Sequence, residues 1–223
     1  MGTGKVIKVT MENVVEAARA AAKVILEGGV VAYPTDTLYG LGVDPFLKER
    51  VEKLIQVKKR PVEKGIPLLV GSISDAERLV HFTHEARLLA KKFWPGPLTI
   101  VLLQREPLPD ELSGGRGSIG VRLPDHPLPQ QIAKMTGGAV TGTSANISGH
   151  EPAKTAREVI EQLGDSVNLI LDGGETKGTP STVIDMIQNP PVIVREGAIP
   201  REKIFKLLET GRREKMAGEP PRC

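Results

Sequence analysis

Apolar and polar residues alternate over Lys5–Thr10 in the manner of a half-buried strand. Val14, Ala17, Ala18, Ala21, Val24 and Ile25 then recur at helical spacing until Gly28-Gly29 breaks the pattern. A continuous apolar run, Val30–Tyr33, predicts a buried strand that delivers the segment Pro34–Gly42 to the surface as a hydroxyl-rich turn. Phe46–Val57 predicts a second helix with Val51, Leu54 and Ile55 inward, followed by a loop kept irregular by Pro61, Gly65 and Pro67. Leu68–Val70 predicts a short strand, and Ser74 with Glu77 forms a capping-box pattern for a helix over Ala76–Val80. A longer helix over Glu85–Phe93 must end at Trp94-Pro95-Gly96-Pro97. Leu98–Leu103 and Ser118–Leu123 are β-rich, Pro127–Met135 helical and Ala139–Thr143 strand-like, and Thr155 with Glu158 caps a helix to Leu163. Leu169–Leu171, Ser181–Ile187 and Val192–Val194 complete the strands, and a last helix spans Arg201–Leu208. Strands and helices alternate without strict order, which predicts an α/β domain over residues 1–210: an open, mixed, twisted sheet with helices packed on it. Residues 211–223 are charged and lack an apolar face, and are expected to form a mobile basic tail.

Composition narrows this frame. The chain has 223 residues, 39% of them hydrophobic but only 3% aromatic, so the core is built from aliphatic side chains and surfaces for stacking several bases are lacking. The net charge of +3 resides in Arg201–Cys223, which carries seven Lys/Arg and four Asp/Glu; residues 1–200 hold 23 of each sign. Global steering toward nucleic acid is therefore not implied, although a local cationic pocket is. The single cysteine, Cys223, excludes an internal disulfide and a cysteine metal cage. No apolar run is long enough to span a membrane and no signal-peptide pattern opens the chain, so a cytoplasmic protein is expected.

Four stretches could carry chemistry. In Pro34–Gly42, Thr35, Thr37 and Tyr39 would share one side of an extended segment; the alternative is a turn whose threonines satisfy their own backbone. Lys58, Lys59, Arg60 and Lys64 are either a solvated face or a clamp for a polyphosphate, to which arginine offers a planar fork and lysine a point charge. Ser118, Gly120 and Arg122 share one face of a strand. An arginine so close to a buried run needs an anionic partner, either a local carboxylate or a ligand. Thr141–Gly149 is dense in hydroxyl and amide groups, and its small residues suit a backbone anion nest or a plain turn. Asp172-Gly173-Gly174, Gly178–Val183 and Arg195-Glu196-Gly197 put further polar groups beside β segments, where ligands enter open α/β sheets. There is no P-loop, dinucleotide fingerprint, nucleophile elbow or zinc pattern. No metal ligand set and no covalent nucleophile with a base is therefore expected.

In chain order, P-T-D-T-L-Y-G-L-G, K-K-R-P, W-P-G-P-L-T, S-I-G-V-R-L-P-D-H-P, T-S-A-N-I-S-G, D-G-G, S-T-V-I-D and V-R-E-G closely resemble the YrdC/Sua5 family of threonylcarbamoyl-AMP synthases over about residues 14–208, in its short single-domain form. The resemblance implies an α/β fold with a concave, basic face. It also implies a nucleotidyltransferase that converts L-threonine, bicarbonate and ATP, with Mg²⁺, to threonylcarbamoyl-adenylate and pyrophosphate. A separate transferase would pass the threonylcarbamoyl group to adenosine 37 of tRNA, as the modification t6A. By motif matching, Thr37, Arg122, Gly142 and Ser181 are expected to hold threonine. Arg60, Lys64, Ser118, Ser144 and Arg195 are expected to hold ATP, with Lys58 and Asn146 as neighbours. The loop R-P-V-E-K-G-I-P-L is longer than the R-P-x-D-N-P-L of many relatives. The alternative reading is a non-catalytic module that binds structured RNA. A third, a different carbamoyl-adenylate chemistry as in hydrogenase-maturation proteins, would call for accessory regions that this sequence lacks.

Overall fold

The computed structural model describes residues 5–218. The expected mixed α/β architecture is present, and its strands divide between two sheets. The first contains β1 (Lys5–Lys8), β2 (Val31–Pro34), β3 (Tyr39–Gly42), β8 (Thr143–Ser144) and β9 (Leu169–Asp172) in the order β1-β9-β2-β3-β8. The second contains β4 (Leu68–Val70), β5 (Leu98–Leu103), β6 (Ser118–Arg122), β7 (Ala139–Thr141), β10 (Thr182–Asp185) and β11 (Val192–Arg195) in the order β11-β10-β5-β6-β4-β7. Both sheets mix parallel and antiparallel pairs; β2 runs parallel to β9 and antiparallel to β3.

Strand β3 is the main element that the apolar pattern misses. The turn expected over Pro34–Gly42 is a tight hairpin: Tyr33 lies opposite Gly40 and Pro34 opposite Tyr39, leaving only 35–38 to turn. A Cβ on Gly42 would stand 2.7 Å from the Tyr33 ring, so this glycine is a packing requirement. Strands β2, β3, β4 and β7 are buried on both faces, while β1 and β11 are largely exposed, and alternation sorts the buried residues. Val31, Tyr33, Leu69, Leu169 and Leu171 face a cluster with α1 (Val14–Leu26) and α6 (Pro127–Met135). Ala32, Tyr39, Leu41, Leu68, Val70 and Ile170 face the larger core, shared with α2 (Lys48–Lys58), α3 (Ile73–Leu79), α4 (His84–Phe93) and α7 (Ala156–Leu163).

Local signals set most helix ends. Gly28, at φ 87°, follows α1, and Thr155 Oγ1 accepts the Glu158 N–H at 3.2 Å at the start of α7. The capping box expected at Ser74 and Glu77 sits elsewhere: Ser72 Oγ accepts the Asp75 N–H at 3.1 Å and opens α3 at Ile73. A short helix, α5 (Asp110–Ser113), occupies the loop before β6, and α8 (Arg201–Gly218) continues past the expected end at Leu208. Residues 219–223, the rest of the expected tail, lie outside the described residues. Among the described residues no helix is long and apolar enough to cross a membrane.

Candidate active site

The hairpin turn forms the floor of the site and is buried: Thr35, Asp36 and Thr37 are 6%, 9% and 4% exposed, which corrects the expectation that it reaches the surface. Thr35 behaves as a turn residue. Its hydroxyl donates to the Leu38 carbonyl at 2.7 Å and accepts the N–H groups of Thr37 and Leu38. With its only proton so placed, Thr35 can only accept in the 2.9 Å contact between the two threonine hydroxyls, sharing a lone pair with one of these N–H groups, and Thr37 is the donor. Tyr39 points elsewhere: it donates to the Gly174 carbonyl at 2.8 Å, and burial pushes its phenol pKa up to about 12.

Arg122, on β6, is 5% exposed and has both kinds of partner that its position calls for. Its Nη2 donates to Asp36 Oδ1 at 2.5 Å, its Nη1 to Thr37 Oγ1 at 3.0 Å and its Nε to the Gly96 carbonyl at 3.0 Å. The local carboxylate is thus Asp36, and the W-P-G-P turn supplies the carbonyl. A guanidinium has five N–H donors, so two stay free for a ligand.

The basic segment splits three ways. Lys58 is 1% exposed, and its ammonium donates to the Ser144 carbonyl, to the Asn146 carbonyl at 2.8 Å and to Asn146 Oδ1 at 3.1 Å. Burial, then the charge of Arg60, pull its pKa down to about 7. Lys59 ends α2 in the left-handed region and is exposed. Arg60 folds back on its own loop, donating from Nε to the Lys64 carbonyl at 2.9 Å and from Nη2 to that of Gly65 at 2.8 Å.

The T-S-A-N stretch carries the chain from one sheet to the other. Gly142 is the single residue between β7 and β8; a Cβ there would stand 2.6 Å from Leu69 Cγ. Its N–H donates to Pro67 O, that of Ala145 to Tyr39 O, that of Asn146 to Ser144 O and that of Ser148 to Lys58 O. These four donors are spent within the protein and are not offered to a ligand. Opposite it, Arg195 on β11 donates to the Ser181 carbonyl from Nε at 3.1 Å and from Nη2 at 2.9 Å, and to Ser181 Oγ at 3.0 Å. Ser181 Oγ also lies 2.9 Å from Thr99 Oγ1.

Two adjoining cavities result. The smaller, 270 Å³, is lined by Thr37, Arg122, Gly142 and Ser181, the four positions matched to threonine, and also by Ser144. The larger, 660 Å³, is lined by Lys64 and Ser118. Arg60 and Arg195 line both. Lys58 and Asn146 line neither, because they are spent on each other: Asn146 fixes Lys58, and its amide nitrogen donates to Ile147 O and His150 O. Both act as struts behind the wall. Sequence reasoning missed Thr99 in both cavities, Arg116, Glu63 and Asp185 in the larger, and Asp36 as the partner of Arg122. Each carried a signal: Arg116 its G-R-G context, Asp36 its place in P-T-D-T, Thr99 the end of W-P-G-P-L-T, Asp185 the end of S-T-V-I-D and Glu63 its place in the loop R-P-V-E-K.

The charges are unevenly balanced. Among the described residues Arg122–Asp36 is the one ion pair formed by a lining residue of either cavity. Arg60 and Arg195 are held by backbone carbonyls instead. Burial lowers the pKa of each, and Arg195 lowers that of Arg60 further. Such an arrangement can receive an extended anion across the larger cavity and a small carboxylate at Arg122.

A family model described as Telomere recombination (Sua5, YciO, YrdC) matches residues 23–197. A threonylcarbamoyl-AMP synthase of Pyrococcus abyssi is 38% identical over 192 residues, 85% of this chain and 56% of that protein. One from Idiomarina loihiensis is 38% identical over 185 residues, 80% of this chain and 96% of that protein. The crystal structure of P. abyssi Sua5 complexed with L-threonine superposes with a TM-score of 0.85 at 36% identity, over 91% of this chain and 60% of that one. The chain thus spans little more than half the length of the Pyrococcus relative.

Proposed function

The chain belongs to the Sua5/YciO/YrdC family, and on that premise we propose that it is a threonylcarbamoyl-AMP synthase, forming threonylcarbamoyl-adenylate and pyrophosphate from L-threonine, bicarbonate and ATP. The observation that carries this reading is the pair of joined cavities with Arg60 and Arg195, neither in an ion pair, in the wall between them. Threonine occupies the smaller cavity, its carboxylate on the free N–H groups of Arg122. ATP occupies the larger, with its phosphates toward Arg60, Lys64, Ser118, Arg116 and Arg195, and Ser144 at the junction.

The chemistry follows from charge. Threonine's amino group and bicarbonate give a carbamate with loss of water; a carbamate oxygen then attacks the α-phosphorus and pyrophosphate leaves. Nucleophile and phosphates are both anionic, so fixed cations at their meeting point lower the barrier, and holding the reactants in line adds about 7–11 kcal/mol. Mg²⁺ enters as part of the ATP substrate. Glu63 and Asp185, oxygen donors of the kind magnesium accepts, lie on the wall of the larger cavity, and the ion supplies further charge neutralisation there. The product is a reactive mixed anhydride, which implies a separate transferase that consumes it, in keeping with a role in t6A formation.

The test is pyrophosphate release by the purified protein. It should require threonine and bicarbonate together, and equal turnover without threonine would end this reading.

A further inference from the structure

The two cavities have four residues in common: Arg60, Pro67, Thr99 and Arg195. Proline has no side-chain donor, and the two arginines donate only. Thr99 is therefore the one group in the shared wall that can either give or accept a hydrogen bond. It is 2% exposed, and its Oγ1 lies 2.9 Å from Ser181 Oγ. Ser181 Oγ already accepts from Arg195 Nη2 at 3.0 Å.

Each hydroxyl has one proton and two lone pairs, which leaves the pair two arrangements. If Thr99 donates to Ser181, the proton of Ser181 is free for an acceptor in the smaller cavity. If Ser181 donates to Thr99, the proton of Thr99 is free for an acceptor in the larger cavity. Ser181 then keeps one lone pair, since Arg195 holds the other, and it can meet only a donor. Phosphate oxygens accept and never donate, so a phosphate against Thr99 selects the second arrangement.

We propose that Thr99 is a positioning residue that couples the two cavities and orients the amino acid; this rests on the threonine and ATP reading above. With ATP bound, Thr99 donates to a phosphate oxygen, Ser181 donates to Thr99, and the remaining lone pair of Ser181 receives an N–H of the amino acid. The carboxylate stays on Arg122 and the nitrogen faces the shared wall, where the carbamate must form to reach the α-phosphorus. The same pairing turns away a ligand that presents an acceptor at that point.

Calorimetry on the full chain tests this. α,β-Methylene-ATP should tighten L-threonine binding about fivefold or more in the wild type. It should do nothing for 3-hydroxybutanoate, which is threonine without its amino group. Thr99→Val should bring the fold-change to about one, and Thr99→Ser should restore it. No tightening in the wild type, equal tightening of 3-hydroxybutanoate, or a full fold-change in a folded Thr99→Val would each overturn the coupling. The 3-hydroxybutanoate arm needs no variant, so the result stands even if Thr99→Val does not fold. Pyrophosphate release that requires threonine and bicarbonate, together with failed coupling, removes only the role of Thr99. Absence of threonine binding removes the underlying reading, and this inference with it.

Discussion

The smaller and larger cavities share a wall yet hold their charge in opposite ways. In the smaller, Arg122 is buried against Asp36, with Thr37 and the Gly96 carbonyl completing a fixed cradle. In the wall shared with the larger, Arg60 and Arg195 are held by carbonyl oxygens, and Arg195 also by the Ser181 hydroxyl, neutral groups that orient a guanidinium but leave its charge uncancelled. A compensated site can recognise a small zwitterion without long-range attraction for every anion. An uncompensated one suits a polyanion that arrives with its own counter-cation. The contrast separates shape recognition from charge neutralisation within one candidate site.

The strongest test of this contrast is Asp36→Asn. It leaves the Arg122 charge buried without its counter-ion, and should cost about 3–5 kcal/mol of stability in denaturant unfolding. Arg122→Met added to Asp36→Asn should recover part of that loss. A change below about 1 kcal/mol would mean that the pair is solvated and that the two cavities hold their charge alike.

Arg60→Ala should lower threonine-dependent pyrophosphate release about 100-fold while the fold is kept, because a donor to developing phosphate charge is lost. Near wild-type ATP affinity and turnover would remove Arg60 from the phosphate site. Arg60 also ties its own loop through Lys64 O and Gly65 O, so Arg60→Lys separates charge from loop closure. Retained charge with lost bidentate geometry should give an intermediate loss.

Lys58 gives a pH-dependent prediction. Below about pH 7 its ammonium supplies three donors to three oxygens; above, the neutral amine has two, and one anchor of the S-A-N loop is lost. The KM for ATP should therefore rise roughly tenfold as pH rises through 7, a loss comparable to one charge-assisted hydrogen bond. Stability should move the other way. The folded pKa lies below the unfolded value of 10.5, so from about pH 7 to 10.5 the unfolded chain holds more protons, and this group's contribution to stability improves with pH. Lys58→Met should flatten both profiles. Persistence of the KM titration in that variant would assign it to another group.

The smallest effect expected is that of salt. Raising ionic strength from about 0.1 M to 0.5 M should weaken binding of an ATP analogue roughly threefold and leave threonine binding nearly unchanged, since screening acts on the uncompensated cations. Equal sensitivity of the two ligands would contradict the division of charge between the cavities.

Where a residue's role depends on its neighbours in sequence, the pattern was legible. Apolar runs and patterning mark β2, β5, β6 and α6, and Thr155 marks the start of α7. Pro34–Gly42 reads as a surface turn because glycines at 40 and 42 and hydroxyls at 35 and 37 resemble a loop. Only the packing of the Tyr33 ring over Gly40 and Gly42 shows why that stretch is a buried strand. Thr37, Arg122, Gly142 and Ser181 were named from separate motifs and meet in one cavity. Lys58 of K-K-R-P and Asn146 of T-S-A-N, matched as neighbours of the ATP site, serve the wall from behind.

The sequence by itself determined the helices and most strands, the ordered motifs that carry the family, and which residues are chemically able to meet an anion. These follow from contacts between positions a few residues apart, where spacing fixes geometry. The tertiary structure decided which cations are cancelled and which stay open. Asp36 reaches Arg122 across 86 residues, Lys58 reaches Asn146 across 88, and Thr99 reaches Ser181 across 82. Whether a buried charge is balanced by a carboxylate, held by a carbonyl or left for a ligand depends on such long-range neighbours. Local pattern carries no record of them.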